Sequence, residues 1–465
     1  MLRIWQAEGK VSVITKYSSI GNHYFCQATP GAGKTVFAAE VAKRLLELDM
    51  VDIILCLAPS KQICDGIRET FSKRLAMPFD GGLGSIGQAM TYQSIHFKSE
   101  DFWINLERKR LFVVFDEIHH CSGNETSLGN VWGQVILNKI SRLANYTLAL
   151  SGTPWRSDHV PIVLSNYTDS EGKLVVDYQY SLKQAVADKV CRSPKIVLID
   201  NDRLSVKGEE GTESFRSILD YVKRSNATYQ SLLYNDEALS HILRLGCEKL
   251  HAVRQHSQRA AGLVVAASVA HAKLIYQKLT RDFKQSATIV TYKSENPREE
   301  IERFRKGNAQ WIVSVGMVSE GTDIPRLQVC CHLSTITTEL YFRQVLGRIL
   351  RLTDSPNQDA WLFTFAEERL SEFAERIEED IPDSCLYLRE TEEGKLKEHT
   401  SKEAEITTTI NTALDQLSKL QGLIWNESME EDSVLARDFS ANELKLGNFR
   451  QRVISCFIST DPYTS

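Results

Sequence analysis

Residues 26–35, CQATPGAGKT, carry a spacing that can hold a phosphate chain. Ala28 through Thr35 follow the pattern [AG]-x-x-x-x-Gly-Lys-[ST], with alanine where glycine is commoner. Thr29, Pro30, Gly31, Ala32 and Gly33 form the loop. Gly31 and Gly33 let backbone N–H groups approach phosphate oxygens closely, Lys34 can reach the terminal phosphates, and the Thr35 hydroxyl suits Mg²⁺. Such a loop needs a carboxylate for the metal and a group that activates water, both near the end of a neighbouring strand. LFVVFDEIHH (111–120) offers them: Asp116 for Mg²⁺ through water, Glu117 to orient and deprotonate the attacking water. An acidic pair directly after five apolar residues is poorly explained as a solvated face. His119, His120 and Cys121 raise the alternative of zinc, but three adjacent side chains converge poorly on one tetrahedral ion and no second ligand cluster stands at a suitable spacing.

These groups need strands to position them. HYFCQ precedes the loop, and VFAAEVAKRLLEL after it reads as a helix whose N-terminus directs positive potential at an anion. With DIILCLA, LFVVFD and YTLALS, the pattern from 23 to about 150 predicts a parallel α/β sheet. A second series, GLVVAAS, ATIVTY, QWIVSVG, LQVCCHL and AWLFTF, runs from about 262 to 366 and predicts a second α/β unit. Within it a helix is expected from Asn296 as cap, Pro297 in the first turn, Glu299 completing a capping box and Gly307 as terminator. YTDSEGKLVVDY reads as a hairpin. The expected organisation is a first domain at 1–165, a connector with hairpin and helices at 166–250, a second domain at 251–370, and a charged, mostly helical tail at 371–465 without recurrent strand runs.

Composition agrees with a globular protein: 42% apolar, 25% charged, and no apolar run near the roughly 20 residues that span a bilayer. The opening residues lack the basic end and apolar stretch of a secretory signal, so a cytoplasmic location is expected. Ten cysteines, none in a Cys-x-x-Cys pair, read as reduced and mostly buried thiols. A net charge of -5 leaves nucleic-acid contact to a local groove rather than a basic face.

Taken with the loop, six further stretches resemble the motifs of superfamily 2 helicases of the DExH kind, over about residues 2 to 366. DEIH (116–119) matches the second motif, SGTP (151–154) the third, and QVLGRILR (344–351) the sixth, Gln-x-x-Gly-Arg-x-x-Arg; VGMVSEGTDIP (315–325) is similar to the fifth. LAPSKQIC (57–64) and MTYQSIH (90–96) resemble strand-contacting motifs. The resemblance implies two tandem RecA-like domains with ATP and Mg²⁺ between them, and an ATP-dependent helicase or translocase on nucleic acid, DNA favoured and RNA possible. Arg351 is the expected arginine finger, with Arg348 pairing or positioning it and Gln344 completing the set; Arg348 and Arg351, three apart, are expected on one helical face. Gly321 and Asp323 are expected at ribose or the water network, with Thr322 or Ser319 at the nucleic-acid backbone. Gln6 of LRIWQ is expected to read adenine, a bidentate amide suiting a donor–acceptor edge. Pro59, Ser60, Lys61, Thr91, Gln93, His119, Ser151 and Thr153 are expected to contact the strand or couple it to hydrolysis. Trp155 either stacks on a base or is buried.

SGTPWRSD with the following hairpin most resembles motor subunits related to type III restriction enzymes and bacterial or phage helicases. That implies a prokaryotic or viral setting, and a protein partner through the tail if DNA is to be cut. Two readings of other kinds compete: an ATP-controlled nucleic-acid-binding switch or defence-complex subunit without strand separation, and an NTPase acting on protein.

Overall fold

The computed structural model describes residues 2–19, 21–95, 97–121, 136–153, 162–167, 174–208, 211–225, 229–316, 324–353, 358–379 and 443–457. The apolar runs of the first half form β1 (His23–Ala28), β2 (Ile53–Ala58), β4 (Leu111–Asp116) and β5 (Ala144–Ser151), and between β2 and β4 the less apolar GQAMT forms β3 (Gly87–Thr91). The hairpin expected after residue 165 is present as β6 (Asn166–Tyr167) and β7 (Leu174–Val175), paired antiparallel. It leads to β8 (Tyr178–Tyr180). All but the hairpin strands lie parallel in the order β3-β2-β4-β5-β1-β8, which is the connectivity of strands joined by crossover helices. Every residue of β4 is buried, which holds its C-terminal Asp116 at the top of the sheet's interior.

The second sheet begins in the stretch read as a connector, with β9 (Ser193–Asn201). After β10 (Leu204–Gly208) and β11 (Gly211–Phe215) come β12 (Ala261–Ala266), β13 (Ala287–Val290), β14 (Trp311–Ser314), β15 (Leu327–Leu333) and β16 (Asp359–Phe365). Residues 166–250 thus supply one strand to each large sheet, β8 to the first and β9 to the second. The helical expectation for the tail holds in Glu368–Glu379 but not at 443–455, where β17 (Glu443–Leu446) and β18 (Phe449–Ser455) form. β18 pairs antiparallel with β9 at the edge of a sheet ordered β13-β14-β12-β15-β16-β9-β18, and β17 pairs with β10. The edge offered by β9 stabilises a sequence, FRQRVIS, whose charged residues mask its strand character. Residues 380–442 lie outside the described residues.

The helix Pro297–Lys306 has the expected bounds with proline in its first turn, but Asn296 makes no side-chain cap and the capping box with Glu299 is absent; Asn296 sits at ψ 66 rather than extended. Gly307 is not left-handed either: its role is steric, since a Cβ there would lie 2.8 Å from the Arg303 carbonyl oxygen. All nine described cysteines are free and buried. Among the described residues no helix is long and apolar enough to cross a membrane.

Candidate functional site

β1 delivers the phosphate loop, and Thr29 N–H donates to the Tyr180 carbonyl of β8 at 3.1 Å. Gly31 (φ 83) and Gly33 (φ 90) take the left-handed turn before the helix Lys34–Glu47, a geometry that side chains disfavour. The loop's carbonyl side is held by the N-terminal segment. Arg3 Nη1 donates to Gly31 O (3.1 Å) and Ala32 O (2.5 Å), Trp5 Nε1 to Ala32 O (3.2 Å), and Gln6 Nε2 to Gly33 O (3.0 Å). Gln6 Oε1 accepts from Arg3 N at 3.0 Å, so both ends of its amide are engaged within the protein. Arg3 and Trp5 escaped the sequence reading. The usable signal was their position beside Gln6: both are pure donors, suited to a loop that presents carbonyls.

Below the loop the buried Lys34 Nζ meets Glu117 Oε1 at 3.1 Å and Ala28 O at 3.3 Å. Glu117 itself has φ 51, unusual for a residue with a Cβ, a local strain at the end of β4. Its Oε2 accepts from Gly152 N–H at 3.3 Å and lies 3.5 Å from His119 Nδ1. His119 Nδ1 is also 2.9 Å from Ser151 Oγ, which accepts from Thr153 N–H at 3.1 Å. A continuous path therefore joins the second and third motifs, and the His119 ring also stands 4.6 Å from that of His120.

Burial raises the Asp116 carboxyl, the neighbouring Glu117 charge adds to that, and Lys34 only partly opposes it. Burial acts the same way on Glu117, but there Lys34 and His119 outweigh it and hold the carboxyl below the usual range. Among the described residues Asp116 Oδ1 is buried without a hydrogen-bond partner. A buried carboxylate oxygen left without a donor fits a hard cation, which prefers oxygen ligands, and the half-buried Thr35 in the first turn of the helix Lys34–Glu47 offers a hydroxyl. The residues present therefore fit Mg²⁺.

The second lobe meets the loop through the helix Glu339–Ile349, capped by Thr338. A Cβ on Gly347 would lie 2.7 Å from Pro30 Cβ, so only glycine allows this approach. Gln344 and Arg348 are half-buried on the helix. Arg351 does not share their helical face. The helix ends at Ile349, and Arg351 forms an isolated antiparallel bridge with Cys191, which turns its side chain along the loop: its Cγ is 3.6 Å from where a Gly31 Cβ would stand. Beside this contact a cleft is lined by Thr29, Pro30 and Thr153 from one lobe and Arg343, Leu346 and Leu350 from the other.

Of the expected strand contacts, Ser60 caps the helix Lys61–Leu75 by accepting from Ile63 N–H at 3.3 Å, and Thr91 Oγ1 accepts from Ser94 N–H at 3.2 Å. Lys61 and Gln93 are exposed, Pro59 half-buried, and Ser151 and Thr153 buried. Ser319, Gly321, Thr322, Asp323, Pro154 and Trp155 lie outside the described residues.

The family model for the res subunit of type III restriction enzymes matches residues 1–156, and that for the helicase conserved C-terminal domain matches residues 240–353. An uncharacterised protein of Mycobacterium leprae is 29% identical over 393 residues, covering 81% of this chain and 64% of the relative, so the chain spans under two thirds of that protein's length. The DNA 3′–5′ translocase XPB2 of Sulfurisphaera tokodaii is 25% identical over 347 residues, 70% of this chain and 74% of that protein. Among solved structures, a fragment of a putative HsdR subunit of a type I restriction enzyme from Vibrio vulnificus YJ016 shares the fold, with a TM-score of 0.55 at 16% identity over 82% of this chain and 67% of that one.

Proposed function

The chain belongs to the superfamily 2 helicases, with their two RecA-like domains and a first domain related to type III restriction subunits, and on that premise we propose that it is an ATP-dependent translocase acting on DNA. The observation that carries this reading is the seating of Gly347 on Pro30 with Arg351 beside Gly31, an arrangement in which a triphosphate on the loop would meet cations from both lobes. DNA is preferred over RNA because one relative is named as a DNA translocase. Domain bounds of 1–165, 166–250, 251–370 and 371–465, and a protein partner for the tail, belong to the same proposal.

In this mechanism Lys34 exchanges partners. Its pairing with Glu117 holds that carboxyl deprotonated but weakly basic; once Lys34 turns to the β/γ phosphates, Glu117 regains the proton affinity to take a proton from the attacking water. Thr35 and Asp116 would hold Mg²⁺, which supplies neutralisation of phosphate charge. Arg351, positioned with Arg348, stabilises charge developing on the γ-phosphoryl oxygens. Gly152 and the Ser151–His119 path relay loss of that phosphate to Thr153, and opening of the cleft shifts Lys61, Gln93 and neighbouring strand contacts relative to the second lobe.

ATP hydrolysis measured with single-stranded, duplex and branched DNA and with RNA tests the reading, using Lys34→Ala and Glu117→Gln as controls. Stimulation by DNA, and loss of turnover in both variants, is expected. Tight ATP-dependent binding with negligible turnover would replace the motor by a switch, and indifference to every polynucleotide would remove nucleic acid from the function.

A further inference from the structure

Arg192 stands where the chain passes from the helix Leu182–Ala187, next to β8 of the first sheet, into β9 of the second. It is 1% exposed, and no carboxylate pairs with it among the described residues. Burial pulls its guanidinium down to about 10. A buried cation facing only neutral groups is a costly choice, and a methionine would fill similar space without the desolvation penalty. What methionine lacks is the fork. Nη1 donates to Leu327 O at 2.7 Å and Ile349 O at 3.1 Å and reaches toward Pro325 O at 3.5 Å, while Nη2 donates to Thr353 Oγ1 at 3.0 Å. The backbone adds a second tie, Arg192 N–H to Leu350 O at 2.7 Å.

These acceptors fall in two groups. Pro325 closes the stretch that resembles the fifth motif, and Leu327 opens β15 directly after it. Ile349, Leu350 and Thr353 flank Arg351 on both sides, just where the helix and its own hydrogen-bond ladder have ended and the chain is held by ties from outside it. The residue before Arg192 completes the frame: Cys191 bridges Arg351 and its Sγ lies 3.6 Å from Pro30 O of the phosphate loop. One planar side chain therefore spans the exits of two motifs and the root of the expected finger.

We propose that Arg192 is a positioning residue for hydrolysis: its fork fixes where Arg351 lies against the phosphate loop and ties that placement to the segment ending at Pro325. The role rests on the motor reading above. A lysine at 192 keeps the charge and most of the stem but, as a single point donor, cannot span acceptors on both sides. A group that acts only by placing the finger alters an interaction made in the transition state, so kcat falls while KM for ATP holds.

The test uses the full chain with Arg192→Lys, Arg192→Met and the double variant Arg192→Lys/Arg351→Ala, read by single-turnover and steady-state hydrolysis with single-stranded DNA and by amide hydrogen exchange over 324–333 and 346–353. Arg192→Lys is expected to lower DNA-stimulated kcat by about tenfold or more, the scale of a small misplacement of a reacting group, with KM for ATP nearly unchanged. Exchange should quicken in both segments while β12 stays protected, and adding Arg192→Lys to Arg351→Ala should cost nothing further. Wild-type kcat and exchange in Arg192→Lys, or an undiminished extra loss in the double variant, would overturn the proposal. Should the wild-type chain ignore DNA, the motor reading falls and the exchange comparison alone decides whether Arg192 holds the two segments. Arg192→Met shows whether the cavity tolerates loss of the charge: folding with the same quickened exchange as the lysine variant supports the fork, and wild-type exchange refutes it.

Discussion

Gly347 of the sixth-motif helix and Pro30 of the phosphate loop are in such close contact that a single methyl on Gly347 would stand 2.7 Å from Pro30 Cβ. Two effects oppose each other in Gly347→Ala. Within the helix, alanine is favoured by roughly 1 kcal/mol; at the lobe contact it forces the helix away. The expected variant has a thermal midpoint equal to or above wild type and loses most of its DNA-stimulated turnover. Calorimetry beside an ATPase assay decides, and wild-type turnover would remove the contact from the mechanism.

The clamp on the loop's carbonyls predicts a binding defect rather than a chemical one. Arg3→Ala removes charge-assisted donors to Gly31 O and Ala32 O. At about 1.5 kcal/mol for a hydrogen bond to a charged group, KM for ATP should rise roughly tenfold while kcat at saturation stays close to wild type. A variant that lost kcat at unchanged KM would show that these donors shape the transition state instead.

Coupling is expected to run through His119. His119→Ala breaks the 2.9 Å contact with Ser151 Oγ but leaves the Lys34–Glu117 pair and the Gly152 contact in place. Basal hydrolysis should persist while the ratio of DNA-stimulated to basal rate drops several-fold. An unchanged ratio would mean that Ser151 and Thr153 do not report strand occupancy to the carboxylates by this path.

Stability should fall on mild acidification for an identifiable reason. His332 in β15 is fully buried with neither ring nitrogen hydrogen-bonded among the described residues, and burial pushes its imidazole down to about 4; His271 is likewise pushed to about 4 by burial. Unfolded histidines take up protons near pH 6.5, so between about 6.5 and about 4 the unfolded chain binds more protons than the folded one. Stability is intact above that window and is lost as pH drops through it. Each histidine contributes up to about 1.4 kcal/mol per pH unit, so urea midpoints of His332→Leu should decline less between pH 7 and 5 than those of wild type. Parallel declines would show that His332 titrates normally.

The amino-acid sequence by itself determined the loop Ala28–Thr35, the Asp116–Glu117 pair and most strands of both sheets, because each is written in a short contiguous string: glycine spacing, an acidic pair after an apolar run, five or six apolar residues together. Tertiary structure alone decided how distant strings meet. Arg351 leaves the helical face its spacing implied because the helix stops at Ile349 and Cys191, far earlier in the chain, bridges it. Nothing local in FRQRVIS or SPKIVLIDN tells that β18 closes the edge that β9 offers, since strand preference at a sheet edge is settled by the neighbour it pairs with. Arg3 and Trp5 became loop-holding residues, and Arg192 a tie between two motifs, through acceptors that lie between 27 and 161 positions away. Such partners are chosen by the packing of the two lobes, and no periodicity records them.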